Sequence, residues 1–461
     1  MNLLIKAGLV LTFDDQGTVL EGGEILIEDG AIGAVGSRVN LEGRPPARVI
    51  DARDALVMPG LVNAHTHSSE NLRKGCGDRG SLAEWLPKVI VPLDALDPEA
   101  NRIAALLGCG AMLRSGTTTV LDHFRRLPLQ GANVDAVAEA YEKAGIRAVL
   151  APTVRDRALY EPSAADRRAG RAPRQMEEPL GQPADAQLAL CEEAIRKWHG
   201  RAGRLQIFLG PSGPQRCSDD LLQDVRELAE KYDVGVHTHL AETRWQGMAG
   251  KTLYGTTLTA HLDELGLLSS RLSVAHAIWL ERDDIRRLGR ARASAVHNPV
   301  SNLKLGSGIA KVAQMRRAGV NVALGSDGAA SNDSQEMFEV VKLAAILSRL
   351  LTTRSSQWVS AGAALEMAVR GGAIATRNEA RTGSLEPGKR ADLVIVGLDD
   401  HPLRPLNDAV GQLVYCNPTR SVRTVLVDGR AVVEDGQVLS FDEEEVFAEA
   451  QAIARRLPPA R

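Results

Sequence analysis

The sequence predicts an α/β protein: a (β/α)8 TIM barrel with a small β-sandwich domain formed from both chain termini. Three observations carry that prediction. Strand-like and helix-like segments alternate through the middle of the chain in eight βα units; both ends are rich in short strands joined by Asp-Gly turns; and histidines stand at the ends of several middle strands. A doubly wound open sheet is the alternative, but no G-x-G-x-x-G or P-loop follows the early strands.

The 461 residues suit one large barrel plus an accessory domain. Apolar content of 44% and charged content of 25% are those of a globular enzyme. A net charge of −3, without a basic run, argues against a nucleic-acid partner, and 3% aromatics leave few platforms for stacking bases. The five cysteines are scattered and form no C-x-x-C pair, which reads as a reducing, cytoplasmic setting. The segment Met1–Leu11 lacks a basic leader and is interrupted by Lys6, so it reads as a strand rather than a signal peptide. No run of about eighteen apolar residues predicts a membrane span.

At the N-terminal end, Gly22–Val35 is two apolar runs around Asp29-Gly30, a hairpin signal. The pattern returns at Arg390–Val396 and in the hairpin Thr424–Val433 around Asp428-Gly429. Each end is too short to bury a core alone, so the two are expected to combine; separate appendages are the alternative. The expected division is 1–57 and 383–440 for the small β domain, 58–382 for the barrel and 441–461 for a C-terminal helix, its Val446, Phe447, Ala450 and Ile453 on one side.

The barrel is expected to open with the apolar run Leu56–Val62, one buried strand ending in Asn63-Ala64-His65-Thr66-His67. Strand alternation puts His65 and His67 on one face, half of a metal site, although two satisfied polar residues in a loop would leave the same pattern. The other seven strands are expected at 117–122, 146–151, 205–210, 234–239, 272–276, 293–297 and 320–325, each after a helical run. Between Arg155 and Pro183 lies a long Arg-, Pro- and Gly-rich connection, either a substrate lid or a tolerated insertion.

Of ten histidines, His65, His67, His123, His237, His239, His276 and His297 stand at these strand ends, with Asp327 just past the last strand. Barrel enzymes assemble their sites from the C-terminal ends of several strands. Imidazoles with one carboxylate suit Zn2+ first and Fe2+ second.

The stretches Pro59–His67, His237–Thr243, Ala275-His276, His297–Gly308, Gly325–Asn332 and Gly383–Leu393 together resemble the amidohydrolase superfamily. Within it they are most similar to the methylthioadenosine/S-adenosylhomocysteine deaminases and the aminotriazine hydrolases. The resemblance implies one divalent metal held by His65, His67, His239 and Asp327. It implies Glu242 as proton shuttle and His276 as hydrogen-bond partner of the attacking water or the developing oxyanion. Asp327 could also orient or deprotonate the nucleophile. A small-molecule substrate and a possible homodimer follow from the same resemblance.

The residues support part of this independently. A divalent metal makes hydroxide available near neutral pH, and a carboxylate in reach can pass a proton to a ring nitrogen or leaving amine. A surface salt-bridge role is the bland reading of Glu242. His237 points the same way as His239 two residues deeper and is a ligand by position alone; only the resemblance selects His239. His123 is a group behind the site, a substrate contact or a structural residue. Asn298 is a candidate substrate contact and Asn302 a brace. Leu205–Pro211 contains no lysine of the kind that bridges two metals in binuclear relatives, so one metal is expected.

The chain departs from nucleoside-processing relatives after the fourth strand. There the family pattern is Gly-Pro-His-x-Pro-Tyr, and this chain has Gly210-Pro211-Ser212-Gly213-Pro214-Gln215. Ser212 and Gln215 are therefore candidate substrate-binding residues, and they weigh against a nucleoside. The segment around Gly247-Met248 and Tyr254–Thr257 is more similar to the triazine hydrolases. The expected reaction is deamination of an aminated purine, pterin or triazine-like ring. Hydrolysis of another non-peptide C–N, C–Cl or C–S bond (a substituted triazine, urea or carbamate) is the alternative, and a non-catalytic scaffold a third reading.

Overall fold

The structure, a computed structural model, describes residues 2–43, 45–158 and 182–459. Most of the connection between Arg155 and Pro183 lies outside the described residues, and with it the choice between a substrate lid and a tolerated insertion. Strands from both ends of the chain share one nine-stranded sheet: β1 (Leu3–Leu11), β2 (Val19–Glu21), β3 (Glu24–Glu28), β4 (Ala31–Gly36) and β5 (Arg48–Pro59) with β16 (Leu393–Gly397), β17 (Val422–Val427), β18 (Arg430–Glu434) and β19 (Gln437–Val438). The joint between the two ends is β5, parallel to β1 and antiparallel to β16, with Leu393 opposite Pro59. Both Asp-Gly hairpins form, β3–β4 and β17–β18. The alternating residues Ile5, Ile25, Ile27, Val57, Leu393 and Ile395 meet in a core of their own.

Between the ends lie two four-stranded parallel sheets. One runs through β6 (Leu61–Thr66), β7 (Thr117–Asp122), β8 (Arg147–Leu150) and β10 (Leu205–Ile207); the other through β12 (Val236–Leu240), β13 (Leu272–His276), β14 (Ser294–His297) and β15 (Asn321–Leu324). Short strands β9 (Thr153–Val154) and β11 (Gly210–Pro211) pair beyond the ends of β8 and β10. A parallel bridge between Leu209 and Val236 links the two sheets on one side. On the other, the Asp327 N–H donates to the His65 carbonyl over 2.9 Å.

The eight expected strands are present, with one correction. The run Leu56–Val62 is not a single strand: β5 stays in the terminal sheet to Pro59, and β6 begins at Leu61. Proline has no N–H to extend a ladder; the Gly60 N–H makes the last contact to the terminal-sheet side, at the Asp392 carbonyl, and the Leu61 N–H already donates to the Gly116 carbonyl ahead of β7. Apolar continuity hid this break, because both strands are buried.

The intervening helices begin where their caps dictate. Asp97 accepts from the Ala100 N–H at 2.8 Å ahead of Pro98–Arg114, and Ser218 accepts from the Leu221 N–H at 3.1 Å ahead of Asp219–Tyr232. The C-terminal helix Glu443–Arg456 starts at Asp442 and buries Val446, Ala450 and Ile453. Phe447, expected on that face, is exposed.

One ion pair ties the barrel strands to the terminal sheet. Arg147, at the start of β8, donates from Nε and Nη2 to the two carboxylate oxygens of Asp392 at 2.8 and 3.0 Å, with both side chains 1% exposed. Asp392 also accepts from the Asp428 N–H at 2.8 Å. Removing one partner strands a buried charge, which costs more than the pair itself contributes. Arg147→Ala or Asp392→Ala is therefore expected to lower the unfolding free energy in urea by about 3–5 kcal/mol. The double variant Arg147→Met/Asp392→Leu should lose less than either single one; single losses below about 1 kcal/mol would show that the pair behaves as a surface contact.

Candidate active site

The C-terminal ends of β6, β12, β13 and β15 open into a cavity of about 360 Å3. His67, His239, Glu242, His276 and Asp327 line it, and Leu82, Leu86, Ile90 and Trp245 form an apolar wall. Ser212 and Gln215 also line it. Asn298 is not brought to it: fully buried, it stands behind His276 with its Nδ2 3.4 Å from His276 Nδ1.

Local backbone geometry sets the positions. His276 and Asp327 have φ of 69° and 63°, in the left-handed region that costs energy for a non-glycine residue. At Gly325 a side chain would overlap the Asn298 amide and crowd His65, so glycine is what lets β15 approach β6 closely enough to deliver Asp327. Asn63, Ser326, Thr66 and Gln335 then pin that turn. Ser326 N–H donates to Asn63 Oδ1 at 2.9 Å, Thr66 Oγ1 donates to the Asp327 carbonyl at 3.0 Å, and Gln335 Nε2 to the same carbonyl at 3.2 Å.

The orientation of each imidazole follows from its Nδ1. His67 Nδ1 lies 2.7 Å from the His123 carbonyl and His239 Nδ1 2.8 Å from the Ser212 carbonyl. A carbonyl only accepts, so both rings carry their proton on Nδ1 and present a lone pair at Nε2. His65 Nδ1 lies 2.8 Å from His237 Nε2, His237 Nδ1 lies 2.7 Å from Ser273 Oγ, and Ser273 Oγ donates to the Val236 carbonyl at 3.5 Å. With every proton in this chain running toward Val236, His65 Nε2 is also left with a lone pair, buried and without a hydrogen-bond partner.

The Nε2 atoms of His65 and His67 each stand 3.4 Å from Asp327 Oδ1, and those of His67 and His239 are 3.3 Å apart. Burial lowers the His65 pKa to about 4, so the ring is neutral at neutral pH. Burial raises the Asp327 carboxyl, but its interactions with the surrounding imidazoles, His65 foremost and then His276 and His67, hold it well below the usual carboxylate range. Lone pairs and an anion converging without a proton between them repel one another, and a divalent cation is the group that this donor set fits.

Two overlapping groups of side chains are spaced to hold an ion, His65–His123–His239 and His65–His276–Asp327. His123 belongs to the first of these groups. It directly follows β7, its Nε2 donates to the Gly210 carbonyl at 3.1 Å, and its ring stacks on His239 with centroids 4.7 Å apart. The sequence signal was its place after Asp122, at the end of the second strand. His237 is drawn behind His65 by Ser273 and does not line the cavity. His276 Nδ1 donates to Asn302 Oδ1 at 2.8 Å, the bracing expected of Asn302, and its Nε2 is 3.9 Å from both Glu242 Oε2 and Asp327 Oδ2.

With this geometry in hand, the relatives are informative. The profile of the amidohydrolase family matches residues 56–432. The chain belongs to the amidohydrolase family. Family members are metal-dependent hydrolases. This amidohydrolase is 38% identical over 462 residues to the 5-methylthioadenosine/S-adenosylhomocysteine deaminase of Desulforudis audaxviator, covering 99% of each chain. It is similar to a crystal structure of an adenosine deaminase from Xanthomonas campestris with bound zinc (TM-score 0.88, 32% identity, 99% and 98% of the two chains). It is also similar to the atrazine chlorohydrolase of Arthrobacter aurescens complexed with zinc (TM-score 0.87, 28% identity, 98% and 100%). These neighbours give the amidohydrolase its fold, a TIM barrel of mixed α and β structure. Among the described residues, no helix is long and apolar enough to cross a membrane.

Acid sensitivity follows from the buried imidazoles. Burial, aided by His276, pushes the pKa of His297 down to about 3. An unfolded histidine titrates near 6.5, so between about pH 6.5 and 3 the unfolded chain binds more protons than the folded one. Stability therefore falls as pH is lowered through that window. The thermal midpoint should drop progressively below about pH 6.5, and His297→Asn should flatten the slope; an unchanged slope would remove His297 from the account.

Proposed function

We propose that the chain is a metal-dependent hydrolase that deaminates an aminated nitrogen heterocycle of the purine, pterin or triazine type. The observation that carries this reading is the convergence of the His65 and His67 Nε2 lone pairs on the Asp327 carboxylate, with His239 Nε2 against that of His67 and with Glu242 and His276 beside them, in one cavity. His65, His67, His239 and Asp327 would hold one divalent ion, Zn2+ ahead of Fe2+. When bound, such an ion supplies positive charge that acidifies water and polarises the reacting centre.

The chain's own groups then handle the protons. Glu242 takes one proton from the attacking water and delivers it to the ring nitrogen, then carries the second, from the newly added hydroxyl, to the departing amine. The water oxygen bonds to the ring carbon, the exocyclic C–N bond breaks, and ammonia leaves. His276, fixed through Nδ1 by Asn302, presents Nε2 to the oxygen on which charge develops. Asp327 orients the nucleophile. Ser212 and Gln215 contact the substrate, while Asn298 supports His276. The apolar wall around Leu86 and Trp245 suits a flat ring.

A second reading is hydrolysis of a C–Cl, C–S or other non-peptide C–N bond. Its support is that none of these side chains needs the leaving group to be an amine, together with the similarity to the atrazine chlorohydrolase. We further propose that the eight parallel strands form a closed barrel, supported by the Leu209–Val236 bridge and the Asp327-to-His65 hydrogen bond. The nine-stranded sheet would fold over as the sandwich of a small domain spanning 1–57 and 383–440, beside the barrel at 58–382 and the helix at 441–461. A cytoplasmic homodimer acting on a small molecule, without nucleic-acid or membrane partners, completes the reading.

Ammonia release from a panel of aminated purines, pterins and triazines tests the reaction class. Release from at least one is expected, and none from any would favour the second reading. Glu242→Gln and Asp327→Ala should each lower kcat by about 10^2–10^4-fold with an unchanged circular dichroism spectrum. Near-normal rates in either would sink the roles given to them. Chelation should abolish activity and added Zn2+ restore it.

A further inference from the structure

Glu70 is a carboxyl that the reaction above does not use. It sits on the 3-10 turn Ser68–Arg73, three residues past His67, and is 4% exposed. It lines the same cavity as Glu242 and Asp327. Its carboxyl accepts from the Ala330 N–H, but its Oε2 is buried with no hydrogen-bond partner among the described residues. The cation on the same wall, Arg125, donates from Nη2 to Asp94 Oδ2 at 2.7 Å and makes no hydrogen bond to Glu70. At Gly328, the residue after Asp327, any Cβ would overlap the Glu70 carboxyl, so the backbone is kept bare to admit it.

Burying a carboxyl oxygen without a partner is costly, and a methionine or leucine would fill the same volume without that cost. The cost is offset if a ligand supplies the missing donor. The terminal torsion of a glutamate is soft, so the carboxyl can turn an oxygen toward the cavity while keeping the Ala330 contact. An acceptor on the cavity that also holds Asp327 is within the space a bound substrate would fill.

We propose that Glu70 is a substrate-binding, specificity-determining residue that accepts a hydrogen bond from a second N–H group on the heterocycle. The favoured substrates are then rings bearing two amino groups, or an amino group and a ring N–H: one nitrogen is hydrolysed and the other is held. This rests on the deaminase reading above and adds a substrate class to it. A site built around a buried polar group discriminates sharply against an analogue that leaves the group unpaired.

The experiment compares 2,6-diaminopurine with adenine, which differ by one exocyclic amine, in the metal-loaded wild type, Glu70→Gln and Glu70→Met. The wild type should favour the diamino ring in kcat/KM by about 100-fold. Glu70→Met should bring the ratio within about threefold, mainly by raising KM for the diamino ring, and Glu70→Gln should fall between. An equal ratio in wild type and Glu70→Met, or a wild type that prefers adenine, overturns the proposal. If Glu70→Met does not fold, Glu70→Gln decides: a ratio unchanged from wild type overturns it and a reduced one supports it. If the wild type releases ammonia from neither ring, the deaminase reading is what fails on these rings. Ligand binding, followed through the fluorescence of Trp85 and Trp245 on the cavity wall, still decides the role of Glu70. Tighter binding of the diamino ring that is lost in Glu70→Met supports it, and equal binding overturns it.

Discussion

Three imidazoles that have already spent their Nδ1 protons cluster beside one buried carboxylate, and much of the structure answers to that arrangement. The protons go to the His123 carbonyl, the Ser212 carbonyl and His237. Each partner acts as an acceptor, which fixes the proton on Nδ1 and leaves Nε2 as the lone pair of the neutral ring. Outer contacts of this kind set ring orientation and basicity as much as the ligands do. They also explain why His237, though it repeats the pattern of His239, belongs to the support and not to the cluster.

Holding imidazole lone pairs and a carboxylate in register needs a rigid surround, and the neighbouring structure supplies it. Asp327 and His276 sit at positive φ. The turn carrying Asp327 is pinned by Asn63, Thr66, Ser326 and Gln335, all fully or nearly fully buried. Buried polar networks are costly when incomplete and strongly directional when satisfied. Here the network links β6 to the turn after β15, the first and last strands of the barrel, so the site and the strand order depend on the same few hydrogen bonds.

Much of this was legible in the chain. Periodicity located all eight middle strands, and the strand-end rule placed His65, His67, His239, His276 and Asp327 at one end of them. The two Asp-Gly turns were equally direct, because few residues adopt that backbone. What sequence could not reveal is where a continuous apolar run changes sheets, as at Pro59-Gly60, since burial reads the same on either side. Nor could it separate His237 from His239: their strand phase is identical, and the difference is Ser273 on the neighbouring strand. Phe447 was assigned by helical phase to a buried face, yet the helix presents it to solvent. Asn298 was expected at the substrate, but the turn after β14 places it behind His276. Glu70 carried no motif, and its interest lies in a partner that is missing.

The contacts to backbone carbonyls have a further consequence for how such a site can diverge. His239 is oriented by the carbonyl of residue 212 and His67 by that of residue 123, and a carbonyl is indifferent to the side chain attached to it. At residue 212 this chain has serine, and the support of His239 comes from its carbonyl and not from its side chain. The side chain at 212 is thus free to follow the substrate while the backbone continues to serve the cluster. The same separation holds at Glu70, which shares a wall with Asp327 but makes its protein contact through the Ala330 N–H. Chemistry here is built on strand ends and main-chain acceptors, and selection on side chains that the cluster does not need. One arrangement of imidazoles and carboxylate can therefore face rings as different as adenosines and triazines in proteins of similar fold.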